Sequence, residues 1–209
     1  MDIIKLLSIK KKDKNKWVKY YEVETYKYYD YILDILPSNK NILEIGSGGG
    51  IFYSKYKDLL IRKNNKYTCI DIHKQSIEYC KKKCNYVDFY VKDICDFTKK
   101  DLKDFDVLLL VQSYIQISNI DKIFKNFFEV NPNGRVIMVN TIFPVILSKF
   151  IQNIKTHVIP KIANNDCVTG KALTTYEIKK LEKYLNRKIK NTIISTSLIG
   201  FPQYLTEIE

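Results

Sequence analysis

Hydrophobic and polar positions change period repeatedly along this chain, and the changes mark its elements. Short apolar runs at Asn41–Ile45, Tyr67–Ile70, Val87–Val91, Phe105–Val111 and Arg135–Val139 read as strands. Between them, Phe52–Arg62, Lys74–Lys83 and Ile120–Val130 carry apolar residues at three- and four-residue steps and read as helices. The segment 96–104 is polar and lysine-rich, with room for a short helix at most. The run from Val107 to Val111 is apolar without a break, as a strand buried on both faces of a parallel sheet must be. Alternation of strand and helix from 41 to 139 predicts an α/β fold with a doubly wound sheet.

The two ends depart from that alternation. Trp17, Tyr20, Tyr21, Tyr28, Ile32 and Leu36 fall on one helical face, with a gap at Glu24 and Thr25 where the helix bends or breaks; Tyr26 and Tyr29 point elsewhere. This N-terminal helical extension, residues 1–37, packs on the sheet as core or lies over a site as a lid, and Pro37-Ser38-Asn39 ends it. After the fifth strand, 144–157 reads as a helix, 159–170 as a loop and Thr174–Leu185 as a helix with a threonine near its cap. Lys188–Ser197 and Gln203–Ile208 then read as two closing strands. No repeat or Pro/Gly-rich linker divides the chain, so 38–209 forms one domain.

Composition narrows the classes. No stretch of about 18 apolar residues occurs, so no membrane helix is expected, and the first residues lack the pattern of a signal peptide; a cytoplasmic location is the expectation. The net charge of +12 suits phosphate-rich partners, but it comes almost wholly from scattered lysines, with only Arg62, Arg135 and Arg187 to offer a guanidinium fork. A generally lysine-rich surface explains it more simply than a nucleic-acid interface. Five cysteines, an odd number without a CxxC pair, argue against a disulfide framework, and Cys80 and Cys84, though one helical turn apart, have no neighbouring His or further Cys to make a metal site.

Chemistry concentrates at the strand ends. After Asn41–Ile45 the chain runs Gly46-Ser47-Gly48-Gly49-Gly50, a turn that lets a ligand approach main-chain N–H groups. A nicotinamide or flavin fingerprint would need glycine at position 51, which is isoleucine. From Glu44 the run reads instead Glu-x-Gly-x-Gly-x-Gly. Asp71 closes the second strand, where a carboxylate accepts hydrogen bonds from ribose hydroxyls, and Asp93 follows the third, where it can accept from an exocyclic amine.

These residues resemble the cofactor half of class I S-adenosylmethionine-dependent methyltransferases, over roughly residues 38–208. The resemblance implies a mostly parallel seven-stranded sheet with an antiparallel last strand and helices on both faces. It implies S-adenosyl-L-methionine as cofactor, with Glu44, Gly46, Gly48 and Gly50 at its methionine portion, Asp71 at the ribose, Asp93 with Ile94 at the adenine and Ile72 packed beside it. Gln112, after the fourth strand, would line the floor beneath the methyl group. No metal is called for, and no catalytic residue is strictly required, because the sulfonium is already an activated leaving group; the protein has to align acceptor and methyl and exclude water. Where the acceptor arrives protonated, Tyr114, His157 and Asp166 are candidate bases by location. Neither the Asp/Asn-Pro-Pro-aromatic signature of nucleic-acid amino methylation nor a Pro-Cys pair follows the fourth strand, which favours a small-molecule acceptor methylated at nitrogen or oxygen. An RNA or protein acceptor drawn by the lysine-rich surface, and a non-catalytic S-adenosylmethionine-binding regulator, are the alternatives.

Overall fold

The structure is a computed structural model and describes residues 26–111, 113–114, 117–141, 174–196 and 202–209. Helix α1 (Tyr26–Ile35) leads into β1 (Asn41–Ile45), and two short helices follow, α2 (Ile51–Lys55) and α3 (Lys57–Arg62). The chain continues through β2 (Lys66–Asp71), α4 (Lys74–Lys83), β3 (Asp88–Val91), a 3-10 turn at Ile94–Asp96, α5 (Lys99–Leu102), β4 (Val107–Val111), α6 (Ile120–Val130) and β5 (Arg135–Thr141). It ends with α7 (Thr175–Leu185), β6 (Ile189–Thr196) and β7 (Pro202–Ile208).

The seven strands form one sheet in the order β3-β2-β1-β4-β5-β7-β6. β1 to β5 pair in parallel, and β7 pairs antiparallel with both β5 and β6. The last strand is therefore the reversed one, and it lies inside the sheet beside β5 rather than at its edge. The order turns back between β1 and β4, the place where ligands bind at the carboxyl ends of doubly wound sheets.

Alternation along each strand divides the core. Ile42, Cys69, Leu109 and Ile137 face one cluster, completed by α1, α2, α3 and α4; Leu43, Ile70, Leu108 and Met138 face the other, completed by α5, α6 and α7. All five residues of β4 are buried, as its unbroken apolar run requires. The expected apolar face holds at Ile32 and Leu36 and takes in one more residue. Tyr29, expected to point elsewhere, is buried with Ile32, Leu33 and Leu36, and its ring lies 4.8 Å from that of Phe52. These four positions follow helical spacing on their own, and α1 in this part is core. Trp17, Tyr20 and Tyr21, like the gap at Glu24 and Thr25, lie outside the described residues, as do the segments 144–157 and 159–170.

The single helix expected from 52 to 62 is interrupted. Tyr56 leaves helical dihedrals, with φ −107° and ψ 21°, while its hydroxyl donates to Asp30 Oδ1 at 2.7 Å and its ring packs on Tyr29 and Phe52. A tertiary anchor breaks the period there, and apolar spacing carries no sign of it. Among the described residues no helix is long and apolar enough to cross a membrane.

Candidate functional site

The turn after β1 is pinned from three sides. Gly46 N–H and Ser47 N–H both donate to Ile70 O, at 2.8 and 3.2 Å, which ties the turn to the end of β2. Gly46, Gly48 and Gly50 take φ values of 75°, 53° and 64°, a region that side chains other than glycine enter at a cost. The first and last of them are also packed tightly. A Cβ on Gly46 would stand 2.7 Å from Ser113 Cβ, and one on Gly50 would stand 2.8 Å from Cys80 Sγ. Gly48 differs: a Cβ there meets nothing within 4 Å, so this residue faces open space at the strand ends.

That contrast makes a prediction. Gly46→Ala should lower stability by about 2 to 3 kcal/mol, since overpacking adds to the left-handed penalty, while Gly48→Ala should lose about 1 kcal/mol. Thermal or denaturant unfolding of the two variants checks the order; equal losses would remove the distinction.

Asp71, at the end of β2, closes the turn from the other side. Its Oδ2 accepts Gly48 N–H at 3.0 Å, and its Oδ1 accepts His73 N–H at 2.8 Å with the His73 ring Nδ1 at 3.0 Å. Burial alone would push its carboxyl up, but the His73 ring and the two N–H groups outweigh burial and hold it below the ordinary aspartate value. Asp71 is thus a carboxylate at neutral pH.

Glu44 has the opposite environment. It is 3% exposed, beneath the glycine turn, with no cation beside it among the described residues. Burial pushes its carboxyl up to about 7; Tyr53 and Cys69 hold it back, and the charge of Asp71 adds to the rise. The Cys69 thiol reaches Glu44 Oε2 at 3.8 Å, and the Tyr53 hydroxyl lies beside the same carboxyl. Two carboxylates on neighbouring strands thus differ in charge: Asp71 ionised, Glu44 poised between forms.

A groove of about 430 Å³ continues from the end of β2 to the loop after β3, lined by Ile72, Val91, Lys92, Asp93, Asp96, Phe97 and Asp101. Asp93 Oδ1 accepts Cys95 N–H at 2.9 Å and caps the 3-10 turn, the one side-chain bond it makes among the described residues, which leaves the carboxylate further accepting capacity. Ile72 is 48% exposed at the groove, but Ile94 is buried in the core cluster with Leu43, Ile70 and Leu102. The apolar groove surface comes from Ile72, Val91 and Phe97. Lys92 lies with its ammonium 5.5 Å from the Phe97 ring centre.

Tyr114 is buried against Phe124 and its hydroxyl donates to Asp121 Oδ1 at 3.3 Å. Burial and then the Asp121 charge push this phenol far above its ordinary value, so it holds its proton and its place is structural. Gln112, His157 and Asp166 lie outside the described residues.

The structure therefore brings Glu44, the three glycines, Asp71, Ile72 and Asp93 to one edge of the sheet, and turns Ile94 inward. It adds residues that the sequence pattern did not single out. Ser113 donates its hydroxyl to Ile45 O at 2.6 Å and backs Gly46, Cys80 donates to Gly48 O at 3.2 Å, and His73 bonds Asp71. Only His73 left a signal, two residues beyond an aspartate at a strand end, where a side chain commonly accepts from the backbone ahead of it.

The fold is shared widely. Similar chains of known structure include a plantazolicin methyltransferase solved with a desmethyl analogue and SAH, at 17% identity and a TM-score of 0.64 over 95% of this chain and 91% of that one. A TehB-like SAM-dependent methyltransferase from Corynebacterium glutamicum aligns at 12% identity and a TM-score of 0.61, over 93% and 94% of the two chains. The CMeT domain of a citrinin polyketide synthase aligns at 17% identity and a TM-score of 0.67, over all of this chain and 59% of that one. No curated protein sequence matches the chain. Residues 36–191 match the family described as Methyltransferase domain, which spans β1 to β5 and runs on into β6. The chain belongs to that family and, with its class I fold, is an S-adenosylmethionine-dependent methyltransferase.

Proposed function

We propose that this enzyme binds S-adenosyl-L-methionine across the carboxyl ends of β1, β2 and β3 and transfers its methyl group to a nucleophilic nitrogen or oxygen of a small molecule. The observation that carries the cofactor placement is the open side of Gly48, set between an ionised Asp71 and a buried Glu44, with a groove that begins at Ile72, the residue after Asp71. Each part suits one portion of the cofactor. The buried carboxyl of Glu44 and the glycine backbone suit the methionine end, Asp71 suits a vicinal diol, and Ile72, Val91 and Phe97 with Asp93 suit a flat base carrying an amine.

When bound, the cofactor supplies a methyl group on a positively charged sulfur. The residues of this chain hold and orient it. Asp71 fixes the ribose by charge-assisted hydrogen bonds, Asp93 reads the amino edge of the base, and the apolar groove wall excludes water from the ring. No described residue is placed to act as base, so the acceptor either brings a neutral nucleophile or loses its proton to solvent.

The small-molecule acceptor is supported by the sequence after β4, Gln112-Ser113-Tyr114-Ile115, which lacks the Pro-Pro-aromatic platform for a flipped base. Two similar structures are named for the plantazolicin and citrinin pathways, which fits that class. Isothermal titration with S-adenosylmethionine and with S-adenosylhomocysteine tests the cofactor. Micromolar binding of both is expected, on the order of −8 kcal/mol. Failure of both to bind removes the reading. Mass identification of ligand co-purified with the protein tests the acceptor; a tRNA or protein fragment in place of a small molecule would overturn that part alone.

A further inference from the structure

Asp71 is crowded by donors of its own chain. Its Oδ1 takes the His73 N–H at 2.8 Å and faces the ring Nδ1 at 3.0 Å, and its Oδ2 takes Gly48 N–H at 3.0 Å. A carboxylate offers about four lone-pair positions. With three engaged by the protein, the two hydroxyls of a ribose find too few. The backbone donors are fixed by the glycine turn and the β2–α4 connection, whereas the His73 side chain is 55% exposed beside an Asp71 side chain at 10%. The ring is the donor that can move. Facing a carboxylate through Nδ1 also requires a proton on that nitrogen, in the neutral Nδ1–H tautomer or the imidazolium.

We propose that the His73 ring is a positioning residue that occupies the ribose-accepting side of Asp71 in the ligand-free chain and is displaced from it by the vicinal hydroxyls of the bound cofactor. This role presupposes the ribose placement proposed above and adds a proton linkage to it. An imidazolium pairs with the carboxylate more strongly than a neutral ring does, so protonation of His73 favours the ligand-free arrangement. By reciprocity, the ligand favours the neutral ring. Cofactor affinity should therefore fall as the pH drops through the His73 titration.

Other groups around Asp71 carry or change charge. Glu44 on β1 titrates in the neutral range, Cys80 faces Asp71 from α4, Lys92 and Asp93 follow β3, and Lys74 pairs with Glu78 at 3.7 Å on α4. The test must separate His73 from these. The chain has only two histidines, so the His73 imidazole resonances can be assigned with His157→Gln and followed by NMR from about pH 5 to about pH 9, with and without saturating S-adenosylhomocysteine. The ligand should lower the His73 midpoint by about one unit. Titration calorimetry should find the wild-type affinity falling about tenfold more than that of His73→Gln between pH 8 and pH 5.5, the equivalent of that unit.

A midpoint unmoved by saturating ligand, or a His73→Gln variant that keeps the full pH dependence, overturns this role while leaving the cofactor reading intact. Wild-type protein that binds neither S-adenosylmethionine nor S-adenosylhomocysteine at any pH overturns both. The midpoint is read in a chain with His73 in place, so it stands even if His73→Gln does not fold.

Discussion

Asp71→Ala should weaken S-adenosylhomocysteine binding by roughly a hundredfold or more, from the loss of two hydrogen bonds to a charged acceptor at about 1.5 to 3 kcal/mol each. The same change removes the acceptor for Gly48 N–H and His73 N–H, which tie the glycine turn to the start of α4. Asp71→Asn is the milder change. An amide keeps one acceptor oxygen and carries no charge, so it can hold one of the two backbone N–H groups but not both, and binding should still fall by tenfold or more. Asp93→Ala gives the comparison: that carboxylate is exposed and would meet one neutral amine, so its loss should cost binding only about tenfold. Calorimetric titration of the three variants checks the order. An Asp71→Ala affinity within about threefold of wild type would remove Asp71 from the ribose role.

The lowered carboxyl of Asp71 also sets a sign for stability. A carboxyl held below its unfolded value contributes stability above that value, present at neutral pH, and loses it in acid as the folded form protonates. Asp71→Asn should therefore flatten the acid limb of the stability curve as well as weaken the ligand.

The strand ends were legible because each combines two local signals. Glu44 stands two residues before a glycine that must take positive φ, and Asp71 terminates an apolar run at the next strand. What pattern could not supply was the partner of each. Nothing in the spacing says that Ser113 backs Gly46 or that Cys80 backs Gly50, because these contacts join residues 67 and 30 positions apart through sheet order alone. Ile94 shows the converse failure. It follows Asp93 as a ring-covering residue would, but the 3-10 turn that Asp93 caps turns it into the core, and the half-buried Phe97 lines the groove instead. Tyr29 shares the buried face because it lies three and four residues before Ile32 and Leu33, a spacing that the stripe through Ile32 and Leu36 did not single out.

Glu44→Gln should remove a pH dependence that the wild-type protein shows. The Glu44 carboxyl rises from an unfolded value of 4.5 to about 7 in the folded chain, because burial without a cation disfavours its charge. Such a group contributes stability in full below the unfolded value and loses it as pH rises through the folded one. The wild-type chain should thus lose on the order of 3 kcal/mol between about pH 4.5 and about pH 7 from this residue. A glutamine fills the same volume, stays neutral throughout and can still meet the Cys69 thiol. It should leave stability near pH 5 within about 1 kcal/mol of wild type and raise it near pH 8 by most of the lost amount. The same substitution bears on the cofactor, since a cationic methionine amine brought beside Glu44 would favour the carboxylate and expel its proton. Binding of S-adenosylhomocysteine near pH 6.5 should release about three-quarters of a proton from Glu44 in the wild type, beside what His73 releases, measurable from titrations in buffers of different ionisation enthalpy. Glu44→Gln should release none from this position. Denaturation curves that run parallel for both proteins across the neutral range would show that Glu44 is already charged in the fold, with a partner that its buried position does not reveal.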